Sequence, residues 1–208
     1  MNYRYICIEG AIGAGKTSLA QRLSAELGSR LILEQFEDNP FLPKFYKEPE
    51  KYAFPLELSF LASRFQQLSD KLSLPDMFQP ILISDYFIQK SLIFARNTLT
   101  GDELNLYQRL FHIMADILPV PDLMLYLHLP IASLQANIRK RGREYEQEIS
   151  DQYLSRLQEG YLDYIRQHPR QRILVIDTSG LDFVNQDADY RHIFDLLQKD
   201  WHRGVHYL

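Results

Sequence analysis

The chain has 208 residues, 46% of them apolar and 12% aromatic, enough for one compact core, which excludes wholesale disorder. With 23 basic against 27 acidic residues, the net charge of -4 excludes a nucleic-acid coat and a general basic membrane-binding surface. A single cysteine, Cys7, leaves no internal disulfide or thiolate zinc site, and no apolar run approaches the roughly 20 residues of a membrane span, so a soluble cytoplasmic protein is expected.

Short apolar runs alternate with longer helical stretches along the chain. Residues 5–8 (Tyr-Ile-Cys-Ile) read as a first strand, followed by a glycine loop and an amphipathic helix over 17–27. Residues 30–33 form a second strand-like run that ends at Glu34. Asn39-Pro40, a cap residue followed by proline, opens a helix, and another runs over 56–72. Residues 80–85, 122–127 and 172–177 read as the third, fourth and fifth strands. These runs are continuously apolar, as strands buried on both faces must be, and the helices between them imply a parallel sheet with right-handed crossovers. Ligands of such α/β folds sit beyond the carboxyl ends of the strands, where the glycine loop, Glu34 and Asp85 all fall. The tail holds His202 and His206 at i, i+4, but Gly204 between them points to a frayed end rather than a metal-binding helix.

Gly10-Ala11-Ile12-Gly13-Ala14-Gly15-Lys16-Thr17 matches the phosphate-binding loop pattern, directly after a strand and opening a helix. Its backbone N–H groups can wrap a phosphate of ATP, with the helix N-terminus adding favourable partial charge. Lys16 would reach the outer phosphates, and the Thr17 hydroxyl would hold Mg²⁺. A GTPase would carry an Asn-Lys-x-Asp segment, which this sequence lacks. Asp177-Thr178-Ser179-Gly180 mimics a switch motif but follows the last predicted strand, so it reads as a turn. A kinase for a small molecule fits the length best.

Several motifs in order resemble the deoxyribonucleoside kinase family: the loop with its preceding Ile8-Glu9, the segment from Tyr46 to Tyr52, Ser63-Arg64, Pro121-Asp122, and Arg141-Gly142-Arg143-Glu144-Tyr145-Glu146. The resemblance implies one P-loop kinase domain over 1–208, a five-stranded parallel sheet flanked by helices, and an arginine-rich lid at about 139–149. It implies transfer of the ATP γ-phosphate to the 5′-hydroxyl of a deoxynucleoside, in a cytoplasmic homodimer. Glu34 takes the place of the catalytic base, and the neighbouring acids Glu37 and Asp38 read as a solvated patch. Lys16, Arg141 and Arg143 would stabilise charge on the transferring group, whereas Arg139 also reads as a plain basic helix end. Asp85 would join Thr17 at Mg²⁺, while Tyr46 and Glu146 fall at the 3′-hydroxyl.

Glu57 stands where the family commonly has glutamine, and Arg64 follows seven residues later, close to two helical turns. A carboxylate only accepts hydrogen bonds, which suits the N1–H and N2–H donors of guanine, while the Arg64 fork suits O6 and N7. Deoxyguanosine is therefore the expected acceptor. The sequence departs from the family at Asn137, at Tyr86 after Asp85 (both arginine in the family) and at Lys90, where an acidic residue is usual. A thymidylate-type monophosphate kinase and a non-catalytic nucleotide-binding subunit stay open as alternatives.

Overall fold

The computed structural model describes residues 2–35, 39–72 and 81–208. Its sheet contains β1 (Tyr5–Gly10), β2 (Arg30–Ile32), β3 (Leu82–Ser84), β4 (Leu123–His128), β5 (Arg172–Asp177) and β6 (Gly204–Tyr207). All neighbours run parallel, in the order β2-β3-β1-β4-β5-β6. The helices are α1 (Lys16–Leu27), α2 (Leu42–Lys47), α3 (Pro49–Leu72), α4 (Gln89–Thr98), α5 (Gly101–Ala115), α6 (Ile131–Arg141), α7 (Asp151–Gln167) and α8 (Asp187–Gln198).

The period of two along each strand divides the core between the two faces of the sheet. Ile6 and Ile8 point with Leu125, Leu127, Leu174 and Ile176 into one apolar cluster with α1, α6 and α8. Cys7, Met124, Tyr126, Ile173 and Val175 point the other way, onto Phe87, Ile93 and the α7 tyrosines Tyr161 and Tyr164. A third cluster, with Leu61, Leu68, Leu92, Tyr107 and Phe111, binds α3, α4 and α5 together. Cover on both faces is why these strands carry no polar alternation.

The sixth strand corrects the expectation of five strands and a frayed tail. Residues 204–207 pair with β5 in the register Arg172↔Gly204 to Val175↔Tyr207. As an edge strand with only four residues it lacks a continuous apolar run, so its sequence gives little strand signal. Trp201, just before it, is fixed by the Tyr3 hydroxyl, which accepts from its backbone N–H at 2.7 Å. The first helix after β2 also starts later than Asn39-Pro40 suggests. The Asn39 side chain accepts from the Phe41 N–H at 3.0 Å, making a local turn, and α2 begins at Leu42. Helix α3 begins at Pro49 and runs through Pro55 instead of starting beyond it.

Candidate active site

The strand order puts the carboxyl end of β1 between those of β3 and β4, and the loop 10–17 leaves from it. Gly13 and Gly15 sit at φ +88° and +85°, a region side chains rarely adopt. A Cβ on Gly13 would lie 2.7 Å from the Leu134 carbonyl, and one on Gly15 would lie 2.8 Å from the Phe183 ring. At Gly13 the Leu134 backbone carbonyl, as well as the turn, requires glycine, whereas at Gly15 the left-handed backbone requires it and the contact is with a side chain. The Lys16 ammonium donates to the carbonyls of Gly10 and Ala11 at 2.9 and 3.0 Å. Burial, and then the nearby Lys90 charge, pull it down to about 8. A cavity of about 1080 Å³ opens over the loop, with Thr17, Glu34, Asn137, Arg141, Arg143 and Asp182 among its walls.

Asp85, one residue past β3, ties three elements together. Its Oδ2 accepts from the Thr17 hydroxyl at 2.5 Å, and its Oδ1 accepts from the Glu34 backbone N–H at 2.8 Å. Its own N–H donates to the Ile32 carbonyl at 3.1 Å. Glu34 lies two residues beyond β2, on the cavity wall. Its Oε1 accepts from Arg64 Nε and Nη2 at 2.8 and 2.6 Å, and its Oε2 accepts from the Lys90 ammonium. Burial works against ionisation, but the Lys90 and Arg64 charges outweigh it and hold the carboxyl far below the usual carboxylate range.

The spacing of Glu57 and Arg64 does turn both side chains inward from α3; they are 2% and 4% exposed. They engage different partners, however. Arg64 presents its Nε/Nη2 edge to Glu34 and donates from Nη1 to the Ser91 hydroxyl at 2.9 Å. Glu57 Oε1 accepts from the Thr98 hydroxyl at 2.9 Å, and burial pushes the carboxyl up to about 7. At the lid, α6 ends at Arg141 with a left-handed Gly142 cap, so Arg143 leaves the helix direction, as a converging cluster requires. Arg141 and Arg143 both pair with the buried Glu146, the latter at 3.3 Å. Tyr46 stacks on Tyr145 with ring centroids 6.1 Å apart, so α2 reaches the lid. Arg139 is exposed and does not line the cavity, and Glu37 and Asp38 lie outside the described residues.

The sequence marked Lys90 and Asn137 as departures from the family without giving their partners, and it did not single out Ser91 or Thr98. Lys90, Ser91 and Thr98 all come from α4, and only folding brings that helix against Glu34, Arg64 and Glu57. Asn137, where the family has arginine, donates to the Gly13 carbonyl at 2.9 Å and so steadies the phosphate loop. Glu9 is wholly buried, accepting from the Phe87 N–H at 3.1 Å and from the Tyr161 hydroxyl at 2.8 Å. A charged residue inside an apolar strand was the available signal for it.

A glycine-lysine-threonine loop at the centre of this parallel sheet, facing a cavity walled by a carboxylate and lid arginines, defines a P-loop phosphotransferase. A sequence model of the deoxynucleoside kinase family matches residues 6–201. Deoxyguanosine kinase of Bacillus subtilis is 40% identical over 197 residues, covering 91% of this chain and 93% of that one. Deoxyadenosine kinase of Dictyostelium discoideum is 31% identical over 194 residues, covering 88% and 75%. The structure of deoxyadenosine kinase from M. mycoides with bound dATP superposes with a TM-score of 0.80 at 26% identity, covering 94% of this chain and all of that one. The chain belongs to the deoxynucleoside kinase family.

Proposed function

We propose that this kinase transfers the γ-phosphate of ATP to the 5′-hydroxyl of a purine deoxynucleoside, deoxyguanosine first. The observation that carries the reading is the placement of Glu34 on the wall of the same cavity that the phosphate loop floors. Two relatives support the guanine preference, the deoxyguanosine kinases of Bacillus subtilis and Lactobacillus acidophilus at 40% and 34% identity.

In this reading the amides of Gly10, Ala11, Ile12, Gly13, Ala14 and Gly15 cradle the phosphates, and Lys16 exchanges its two loop carbonyls for phosphate oxygens. Thr17 and Asp85 offer a hydroxyl and a carboxylate within 2.5 Å of one another, an oxygen-only donor set that fits Mg²⁺. Held by these two oxygens, Mg²⁺ would supply charge neutralisation for the phosphates. Glu34 is ionised and accepts from the 5′-hydroxyl; Arg64 and Lys90 fix its orientation. A carboxylate held so strongly acidic is a weak base, so its first task is to aim the hydroxyl, with proton uptake late in transfer. Arg141 and Arg143 stabilise the moving phosphoryl group, Tyr46 and Glu146 hold the 3′-hydroxyl, and Glu57 reads the base.

We place the chain in the cytoplasm as one domain and as a homodimer. Support for the dimer is an exposed apolar set on and after α5, Leu106, Ile113, Ile117 and Val120. The acceptor class is tested by following ADP release from Mg-ATP with deoxynucleosides and, separately, with deoxynucleoside monophosphates. Turnover with the nucleosides is expected; turnover confined to monophosphates would move the chain to the monophosphate kinases, and ATP binding without turnover would make it a binding subunit.

A further inference from the structure

Glu57 is buried on α3, and its two oxygens are treated differently. Oε1 accepts from the hydroxyl of Thr98, the last residue of α4, at 2.9 Å. Oε2 is buried and has no hydrogen-bond partner among the described residues. A buried polar atom without a partner is costly, and a functional role in meeting a ligand is one physical reason for keeping it. What Oε2 offers that ligand depends on whether the carboxyl carries a proton.

We propose that Glu57 selects the purine by its own protonation state, its carboxylate taking deoxyguanosine and its neutral acid taking deoxyadenosine, with Thr98 fixing Oε1 so that Oε2 meets the base. This deepens the reading of Glu57 as the base-reading residue and rests on it. Guanine presents N1–H and N2–H, two donors that only acceptor oxygens satisfy. Adenine presents the N1 acceptor beside the N6–H donor, the complement of an O–H and a C=O on one neutral carboxyl group. Neither purine gains or loses a proton near neutral pH, so the enzyme's carboxyl sets the match before binding.

The surroundings make both forms available. Burial pushes Glu57 up to about 7, opposed in turn by the Arg64 charge and by the Thr98 hydrogen bond. The groups facing it are Tyr46 from α2, Arg64 from α3, Glu34 after β2, Lys90 from α4, Tyr107 from α5 and Tyr153 from α7. Burial pushes the three phenols far up, and the Lys90 and Arg64 charges hold Glu34 far down, so none of these four changes charge near neutrality. Raised to about 7, Glu57 can be either the acid or the carboxylate around neutrality, with the acid favoured as the pH falls and the carboxylate as it rises.

The test is the specificity constant for deoxyguanosine, deoxyinosine and deoxyadenosine as a function of pH, because kcat/KM reports the free enzyme. If each base uses one form, the deoxyguanosine-to-deoxyadenosine ratio rises roughly tenfold per pH unit through neutrality, since the two forms of one group vary in that proportion. Lys16, Glu34 and the phosphate site serve both substrates, so their titrations cancel in the ratio. Deoxyinosine, which keeps N1–H, is expected to follow the pH course of deoxyguanosine. The isosteric E57Q variant should abolish the slope. Thr98→Val removes a donor to the carboxylate and should lower the ratio at every pH while keeping the slope. A flat wild-type ratio with deoxyguanosine preferred, lost in E57Q, overturns the protonation switch and leaves base reading by Glu57 intact. A ratio that E57Q does not change overturns the base-reading role itself, and an unchanged ratio in Thr98→Val removes Thr98 from the device.

Discussion

Glu34 carries the heaviest demand of any single side chain, since one half-buried carboxylate must stay ionised between two buried cations and open to the acceptor. Glu34→Gln keeps its shape and removes the charge, so turnover is expected to fall by roughly 10²- to 10⁴-fold, with a smaller change in acceptor KM. It also leaves Arg64 and Lys90 facing a neutral amide, and uncompensated buried charge typically costs about 3–5 kcal/mol, so the melting temperature should drop as well. Unchanged turnover would return Glu34 to a structural role. Lys16→Ala should abolish turnover while hardly changing the melting temperature, because among the described residues its ammonium hydrogen-bonds only to loop carbonyls; near-wild-type turnover at saturating ATP would contradict the phosphate-loop assignment. The positions of Lys16, Glu34 and Asp85 were legible because motif and strand ends place them. The partners of Glu34 were not, since Lys90 is 56 residues away in sequence and nothing local aims it there.

At the scale of elements, the phosphate loop is held by helices that enclose it. Gly13→Ala would force a Cβ against the Leu134 carbonyl on α6 from a left-handed backbone position. Overpacking of this kind costs about 1–3 kcal/mol, and loss of ATP affinity should accompany the lower stability. A Gly13→Ala protein with wild-type ATP affinity would show that the loop geometry is not what holds the phosphates. The lid poses a separate question, because Arg141 and Arg143 are both paired with Glu146. If phosphate is their partner during transfer, each arginine-to-alanine change lowers kcat more than it raises the acceptor KM. A pure effect on KM would assign both to the nucleoside side. Long periodic helices and strands buried on both faces were legible from pattern alone. The four-residue β6 and the shift of α2 were not, because an edge strand pairs by backbone and a turn at Asn39 depends on one side-chain bond.

For the whole molecule, the six-stranded sheet sets the carboxyl ends of β1, β2 and β3 side by side, with the helices α3 and α4 supplying the second layer of the site. The apolar residues left exposed around α5 are expected to lie in a subunit contact, so Ile113→Glu with Ile117→Glu should convert a dimer to a monomer in sedimentation; a wild-type monomer would remove the dimer. The acceptor preference is read most directly from the specificity constants of the wild-type enzyme for the four deoxynucleosides at saturating Mg-ATP and about pH 8, where the Glu57 carboxylate is favoured. Deoxyguanosine is expected to give the largest value, with ADP and the 5′-monophosphate formed in equal amounts. A larger value for a pyrimidine deoxynucleoside would contradict a purine-reading pocket built on Glu57.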